Sequence, residues 1–252
     1  MKKNLNGLNI TYRFHKGEGV PILLLHGWGG SLNSFRFLEN YFVSKNCSVI
    51  TIDFPGFGGS DMPLETFELD DYYKIVSDLL MAENIQKVNI VAHSFGGRVA
   101  LLLTYNEPQK VNKLVLTDSA GLKPKFSLSK KIKIIRYKFL KKLKEKGLIK
   151  RDLVSYGSED YKAMPQNLKQ VFVRIVNRHL DYILRSVSCP TLIVWGKDDD
   201  ATPYYMAKKF KKNIKDSGLV TLDGGHFAYL QNANKFTMIV DNFFNKENVW
   251  TY

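Results

Sequence analysis

The fold class of this chain is decided by the stretch VNIVAHSFGGRVA, residues 88–100. Its first five residues are largely apolar, as in a strand buried on both faces, and a helical pattern follows over 95–106. Ser94 stands in the turn between them, with the small residues Ala92 and Gly96 on either side. A serine in such a strained strand-to-helix turn is exposed as a nucleophile. The alternative is a serine that only caps the helix N-terminus, with glycines for close packing.

Short apolar strands and helical segments alternate along the rest of the chain. Asn6-Gly7 is a hairpin turn signal, after which apolar and polar residues alternate. The predicted strands that follow lie at 20–25, 47–53, 88–92, 113–117, 191–195 and 218–222. The predicted helices between them lie at 31–44, 70–83, 95–106 and 234–244. This alternation predicts an α/β fold, with a mainly parallel twisted sheet and helices on both faces.

The excess of basic residues is concentrated in one segment. The net charge is +13, from 37 Lys or Arg and 24 Asp or Glu. Residues 121–185 hold 18 of the basic and 5 of the acidic residues, which leaves 19 of each elsewhere. The segment is mostly helical in pattern and divides the strand at 113–117 from the strand at 191–195. We therefore predict a core domain over 1–120 and 186–252, with a basic helical cap inserted at 121–185.

Length and composition exclude several classes of protein. A chain of 252 residues with 44% hydrophobic and 24% charged residues has the composition of one large globular domain. It has no apolar run near the ~20 residues that a transmembrane helix requires, and its N-terminus lacks the apolar segment of a secretory signal. Only Cys47 and Cys189 are present, so a disulfide framework is not expected. These features predict a cytoplasmic protein with no transmembrane segment.

A glycine-rich loop follows the strand at 20–25. It reads HGWGGS over 26–31 and lacks both the lysine and the glycine spacing of phosphate-binding loops. A serine nucleophile requires backbone N–H donors for the oxyanion of its tetrahedral intermediate. The N–H groups of Trp28 in this loop and of Phe95 after the serine are the candidate donors.

Together these motifs resemble those of the α/β-hydrolase fold superfamily, in its Ser-His-Asp hydrolase form with a helical cap. The resemblance rests on the loop at 26–29, the serine turn at 92–96, a turn-rich DFPGFGGS segment at 53–60 and a late LDGGH segment at 222–226. Ala92 replaces the first glycine of the family's G-x-S-x-G pattern. The similarity covers essentially the whole chain, with the cap as its variable part. It implies the fold and a catalytic Ser94, and it says little about the substrate.

The resemblance also implies a catalytic histidine. The chain order of the triad in this fold is serine, then acid, then histidine. Of the five histidines, only His226 follows a late strand on a loop with glycine freedom. Such a loop at the carboxyl end of a strand can bring the base to the nucleophile.

The acid is selected by a further family pattern, G-x-x-D-x-x-x-P. The segment GKDDDATP at 196–203 fits it and selects Asp199. The adjacent Asp198 and Asp200 are then expected to be solvated loop carboxylates. Asp118, after the strand at 113–117, is the rival, because some relatives of this fold carry their acid there.

These assignments predict a serine hydrolase that cleaves small carboxylic esters and needs no metal or organic cofactor. Ser94 attacks the ester carbonyl, His226 takes and returns the proton, and Asp199 orients His226. A small-molecule ester is the expected partner.

Two alternative functions use the same residues. One is a carbon–carbon bond hydrolase of diketo-acid type, although such relatives typically place Trp where this chain has Phe227. Arg98 and the arginines at 174, 178 and 185 are candidates to bind a carboxylate in that case, or else form helix-surface salt bridges. The other alternative is a ligand-sensing signalling protein that keeps the triad.

Part of the predicted cap has the pattern of a basic amphipathic helix. Apolar residues recur at helical spacing over 132–143, and lysines and an arginine fill much of the rest of 130–144. One interpretation is a cap helix over the mouth of the site with its lysines in water. The other is a partner, either an anionic substrate or an anionic lipid surface. No recognised nucleic-acid motif is present, so nucleic acid is not an expected partner.

Overall fold

The computed structural model describes residues 1–64, 66–125 and 164–246. These residues form a mainly parallel sheet with helices on both faces, which confirms the predicted α/β class. The basic helix predicted within 130–144 lies outside the described residues, as does most of the predicted cap. In the described ranges, no helix is both long enough and apolar enough to cross a membrane.

The sheet contains eight strands from the described part of the chain. Their bounds are β1 Lys2–Leu5, β2 Leu8–His15, β3 Glu18–Leu25, β4 Cys47–Ile52, β5 Val88–His93, β6 Val111–Thr117, β7 Thr191–Gly196 and β8 Ser217–Leu222. Their order across the sheet is β1-β2-β4-β3-β5-β6-β7-β8. Strand β2 pairs antiparallel with β1 and β4, and all the other pairs are parallel. The carboxyl ends of the parallel strands therefore share one edge, where ligands bind in open α/β sheets.

Helices cover both faces of this sheet. Their bounds are α1 Arg36–Ser44, α2 Leu69–Ala82, α3 Phe95–Asn106, α4 Gln166–Asn177, α5 Tyr205–Asn213, α6 Ala228–Gln231 and α7 Ala233–Asn245. The buried side chains of α2, α3 and α5 share one core, and those of α1 and α7 share the other. In β5, Ile90 and Ala92 face the first core, whereas Val91 faces the second. This alternation explains why the strand is apolar on both sides.

Helix α1 is shorter than the sequence predicts, since it begins at Arg36 rather than near residue 31. The residues before it are bonded to other elements. The N–H of Leu32 donates to Oδ1 of Asp53 at 2.6 Å, and its carbonyl oxygen accepts from Nη2 of Arg13 at 2.7 Å. In a helix that began at residue 31, this carbonyl oxygen would accept the N–H of Arg36, which instead donates to the carbonyl oxygen of Asn33 at 3.0 Å.

The core that holds α2 supports the helix that follows Ser94. Tyr72 of α2 packs edge-to-face on Phe95 of α3, with ring centroids 5.0 Å apart. Leu79, two turns after Tyr72 in α2, is fully buried in the same core. Met81, near the end of the same helix, is 66% exposed. The contribution of this packing to stability can be tested by comparing a buried with an exposed residue of α2.

We expect Leu79→Ala to lower the free energy of unfolding by about 2–5 kcal/mol, because it leaves a cavity in a close-packed core. Met81→Ala, the control on the same helix, is expected to change it by less than about 0.5 kcal/mol. Urea denaturation of both variants and the parent measures these differences. Equal losses in the two variants would contradict the described packing of α2.

Candidate active site

Ser94 has a backbone conformation that few residues other than glycine adopt. Its φ is 48° and its ψ is −110°, in the turn between β5 and α3. The turn is tight because Gly96 lies against the end of β3, where a Cβ would collide with the carbonyl oxygen of Leu25. Ser94 is half-buried, while its neighbours His93 and Phe95 are buried. The turn thus leaves the serine side chain accessible at the edge of the sheet.

The structure brings Ser94, His226 and Asp199 together although they are far apart in the sequence. Oγ of Ser94 lies 3.0 Å from Nε2 of His226, and Nδ1 of His226 lies 2.9 Å from Oδ2 of Asp199. The three residues follow β5, β8 and β7, so the carboxyl ends of three strands of the same parallel sheet supply them. A carboxylate at Nδ1 holds the ring proton there, which leaves Nε2 able to accept from the serine hydroxyl.

Asp199 is buried and all its oxygens are bonded. Oδ1 accepts the N–H groups of Ala201 and Thr202, both at 2.9 Å, and Oδ2 lies 2.6 Å from the hydroxyl of Thr202. Burial raises the pKa of Asp199, but the hydrogen bonds from His226 and Thr202 outweigh burial and bring the pKa below its usual range. Asp199 is therefore ionised at neutral pH and fixes the orientation of the imidazole.

His93 holds the loop that carries His226. Its Nε2 donates to the carbonyl oxygen of His226 at 2.8 Å, and the two rings lie 4.8 Å apart. Burial lowers the pKa of His93 to about 3, so the ring is neutral. No such role is predicted from the sequence, because the partner is a backbone carbonyl 133 residues away. The one sequence signal for this role is the position of His93 at the end of an apolar strand, directly before Ser94.

Trp28 and Phe95, the predicted oxyanion donors, both lie at this site. Their rings pack edge-to-face with centroids 5.2 Å apart. Within the described ranges, neither backbone N–H donates to a protein acceptor. The N–H of Phe95 also lies at the N-terminus of α3, where the helix dipole favours negative charge. Both groups are therefore available to a ligand oxygen.

Buried polar side chains fix the loop that carries Trp28. His26 donates from Nδ1 to the carbonyl oxygen of the next residue at 2.7 Å and accepts the N–H of Phe54 at Nε2, at 3.1 Å. Burial lowers the pKa of His26 to about 4, so the ring keeps one neutral tautomer that makes both bonds. Asp53 binds the far end of the loop through the N–H of Leu32. The loops after β3 and β4 are thus bonded to each other.

An ion pair between Arg13 and Glu39 also fixes the loop after β3. Arg13 bonds to both carboxylate oxygens of Glu39, at 2.7 and 2.6 Å, and also to the carbonyl oxygen of Leu32 and the side chain of Asn33. Burial raises the pKa of Glu39, but the bonds from Arg13 outweigh it and bring the pKa below its usual range. The ionised Glu39 therefore keeps Arg13 in place against the loop.

Asp118, the rival acid, makes no hydrogen bond to His226. Its Oδ1 accepts the N–H of Gly196 at 2.8 Å, and its Oδ2 accepts the hydroxyl of Thr117 at 3.0 Å. Burial raises the pKa of Asp118 to about 7 against the opposing bond from Gly196, and the charge of Asp199 adds to the rise. The structure therefore places a second, protonatable carboxyl behind the carboxylate that contacts the imidazole.

Ser94 and His226 open into a cavity of about 280 Å³. Its walls come from the core and from the segment predicted as the cap. The apolar part of the lining includes Trp28, Phe95, Leu122, Phe172, Ile175 and Met206. Nowhere in the described chain do three or more His, Cys, Asp or Glu side chains cluster as a metal site requires.

Comparison with known proteins agrees with this architecture. A family model described as alpha/beta hydrolase fold matches residues 20–145, half of the chain. A 2-hydroxy-6-oxo-6-(2'-aminophenyl)hexa-2,4-dienoic acid hydrolase of Metapseudomonas resinovorans is 29% identical over 263 residues, covering 96% of this chain and 90% of that protein. The AB hydrolase superfamily protein YisY of Bacillus subtilis is 26% identical over 253 residues, covering 91% of this chain and 93% of that protein.

A solved structure shows the same fold. The esterase EaEST of Exiguobacterium antarcticum matches with a TM-score of 0.77 at 21% sequence identity. The match covers 96% of this chain and 97% of that one. The fold described above is therefore shared with a protein of low sequence identity.

Asp118→Asn tests the buried second carboxyl. In the folded protein the pKa of Asp118, about 7, lies above its usual value of 3.8, so the folded state holds this proton more tightly than the unfolded state does. Through this group, the stability of the parent falls as the pH rises from about 4 to about 7. Asparagine cannot ionise, so we expect the free energy of unfolding of Asp118→Asn, relative to the parent, to rise across that window.

Urea denaturation at a series of pH values measures this difference. Asp198→Asn is the control, because it removes one carboxylate from the same region at an exposed position. The same pH dependence in both variants would contradict a specifically raised pKa at Asp118.

Proposed function

Because this chain belongs to the α/β-hydrolase fold family, we propose that it is a serine hydrolase that cleaves small carboxylic esters through an acyl-enzyme on Ser94. The observation that carries the proposal is the hydrogen-bonded line from Ser94 through His226 to Asp199, which opens into a mainly apolar cavity. This line has the order and distances of a nucleophile, a base and an orienting acid. The cavity offers room for the acyl or alkyl part of a small ester.

In the first half-reaction, Oγ of Ser94 attacks the carbonyl carbon while Nε2 of His226 takes the hydroxyl proton. The ionised Asp199 at Nδ1 stabilises the imidazolium that forms. The carbonyl oxygen becomes an oxyanion, which accepts the N–H groups of Trp28 and Phe95. His226 then gives its proton to the leaving alkoxide as the C–O bond breaks, and the acyl group stays on Ser94.

In the second half-reaction, water takes the place of the alcohol. Nε2 of His226 removes a proton from this water as its oxygen attacks the acyl carbon. The same N–H donors bind the second oxyanion. When the bond to Oγ of Ser94 breaks, His226 returns the proton to the serine, and the carboxylic acid leaves.

A carbon–carbon bond hydrolase is the second candidate. The dienoic acid hydrolase that matches 96% of this chain favours it. In that chemistry the leaving group is carbon, so the site must deliver a proton to a carbon atom rather than to an alkoxide. Phe227, whose ring packs on His93 and His226, is 52% exposed and offers no donor for such a step. Faster turnover of a vinylogous diketo acid than of any 4-nitrophenyl ester would move the assignment to this class.

The remaining alternative, a ligand-sensing protein that keeps Ser94, His226 and Asp199, differs from an enzyme in its number of turnovers. An enzyme completes many cycles per protein molecule, whereas a sensor shows slow or single-cycle cleavage. Product release followed beyond one equivalent, with 4-nitrophenyl esters of increasing chain length, separates the two functions.

Ser94→Ala is expected to abolish ester hydrolysis and labelling by a fluorophosphonate. Removal of a triad nucleophile typically lowers turnover on the order of a million-fold. The fold should be unaffected, because the side chain of Ser94 makes no bond that supports the sheet. Labelling that persists in a folded Ser94→Ala protein would refute the assignment.

Asp199→Asn is expected to lower kcat by about ten-thousand-fold, because an amide cannot hold His226 in the required tautomer or stabilise its cation. Asp200→Asn, an exposed neighbour, is the matched control and should have a much smaller effect. Asp118→Asn should also have a much smaller effect. If Asp118→Asn is the damaging change in steady-state kinetics, the acid belongs to the end of β6 instead.

A further inference from the structure

Arg98 is one of the residues that line the cavity of Ser94 and His226, and its side chain ends in a positively charged guanidinium. It stands one turn along α3 from Ser94, and only 6% of its surface is exposed. Burial lowers the pKa of its guanidinium to about 10, so the group is still charged at neutral pH. Among the lining residues that the structure describes, it is the one with a permanent charge.

Hydrogen bonds to protein groups use only some of the N–H donors of this guanidinium. It donates to the carbonyl oxygens of Val176 and Arg178 at the C-terminal end of α4. A guanidinium has five N–H donors, so these two bonds leave three of them. None of the carboxylates in the described ranges forms an ion pair with Arg98. A buried charge without a counter-ion is unfavourable, so the cavity wall favours an anion.

We propose that Arg98 binds a carboxylate carried by the substrate, so that the cavity selects esters with a second, anionic end. This specificity rests on the proposed ester hydrolysis at Ser94. The planar guanidinium matches a carboxylate with two parallel N–H donors. One cation balances one negative charge, whereas a phosphate monoester would bring further charge with no second cation in the described lining. The apolar wall at Leu122 and Ile175 accommodates the methylene chain between the two ends.

Arg98 also joins α3 to the C-terminal end of α4, where the helix dipole favours a cation. A purely structural role must therefore be distinguished from anion binding. Arg178 offers the matched control, because its guanidinium pairs with Asp70 of α2 at 2.8 Å and does not line the cavity. Arg178→Gln removes the same charge from the same helix end and leaves the cavity wall as it is.

The kinetic test compares two esters of equal chain length. One is the 4-nitrophenyl monoester of adipic acid, which ends in a carboxylate, and the other is 4-nitrophenyl hexanoate, which ends in a methyl group. In Arg98→Gln, we expect kcat/KM for the adipate ester to fall by roughly tenfold to a hundredfold relative to the hexanoate ester, because a charge-assisted hydrogen bond is lost. The change should lie mainly in KM. Arg178→Gln should leave the ratio of the two esters unchanged.

Equal losses on both esters in Arg98→Gln would show a structural role alone and overturn the proposal. Arg98→Lys keeps the charge but loses the paired donors, so a smaller loss in the same direction is expected. If thermal unfolding shows that Arg98→Gln does not fold, Arg98→Lys carries the test. An unchanged preference for the adipate ester in folded Arg98→Lys would then overturn binding by the guanidinium.

A binding measurement separates this proposal from the proposed hydrolysis. Calorimetry on Ser94→Ala, titrated with monomethyl adipate or with methyl hexanoate, detects anion selection without turnover. Selective binding of monomethyl adipate, lost in Ser94→Ala/Arg98→Gln, would support the carboxylate site even if the parent hydrolyses neither ester. Hydrolysis of both esters by the parent without any preference or selective binding would overturn the site and leave the hydrolase function standing.

Discussion

The strained backbone at Ser94 is the constraint on which the rest of the structure depends. A non-glycine residue in such a sparsely populated conformation costs on the order of 1–3 kcal/mol and persists only where its surroundings determine it. Here Gly96 and Gly97 leave room for the end of β3 and for Ser119, and the N–H of Ser94 donates to the carbonyl of Thr117 in β6 at 3.2 Å. The close packing of α3 against the sheet therefore also fixes the position of Ser94 within hydrogen-bonding distance of His226.

The other parts of the site are positioned by buried polar groups with defined bonds. His93 holds the backbone of His226, and Thr202 bonds to both oxygens of Asp199 through its N–H and hydroxyl groups. His26 joins two of the strand-end loops. Burial lowers the pKa of His26 and His93, so both rings are neutral, whereas the hydrogen bonds to Asp199 outweigh its burial and keep it ionised. The site is thus organised before any substrate arrives, as electrostatic stabilisation of an oxyanion requires.

Much of this arrangement can be predicted from the sequence, because it follows from topology. Once the alternating pattern predicts a parallel sheet, residues after β5, β7 and β8 must meet at one edge, which brings Ser94, Asp199 and His226 together. The bond from His93 to a backbone carbonyl and the pairing of Arg13 with Glu39 could not be predicted. Their partners are distant in sequence and leave no local pattern. A distant partner also explains why α1 starts later than its periodicity suggests, since the carbonyl oxygen of Leu32, which a longer helix would use, accepts from Arg13.

The central claim of the proposed chemistry is a covalent acyl-enzyme on Ser94. His226, oriented by Asp199, transfers the protons as this intermediate forms and is hydrolysed. Mass spectrometry of the protein, quenched in acid during turnover of 4-nitrophenyl acetate and followed by peptide mapping, tests it most directly. We expect an acetyl group on the peptide that contains Ser94, which disappears once the substrate is consumed. Turnover with no acyl group on the protein, or with the group on another residue, would contradict the claim.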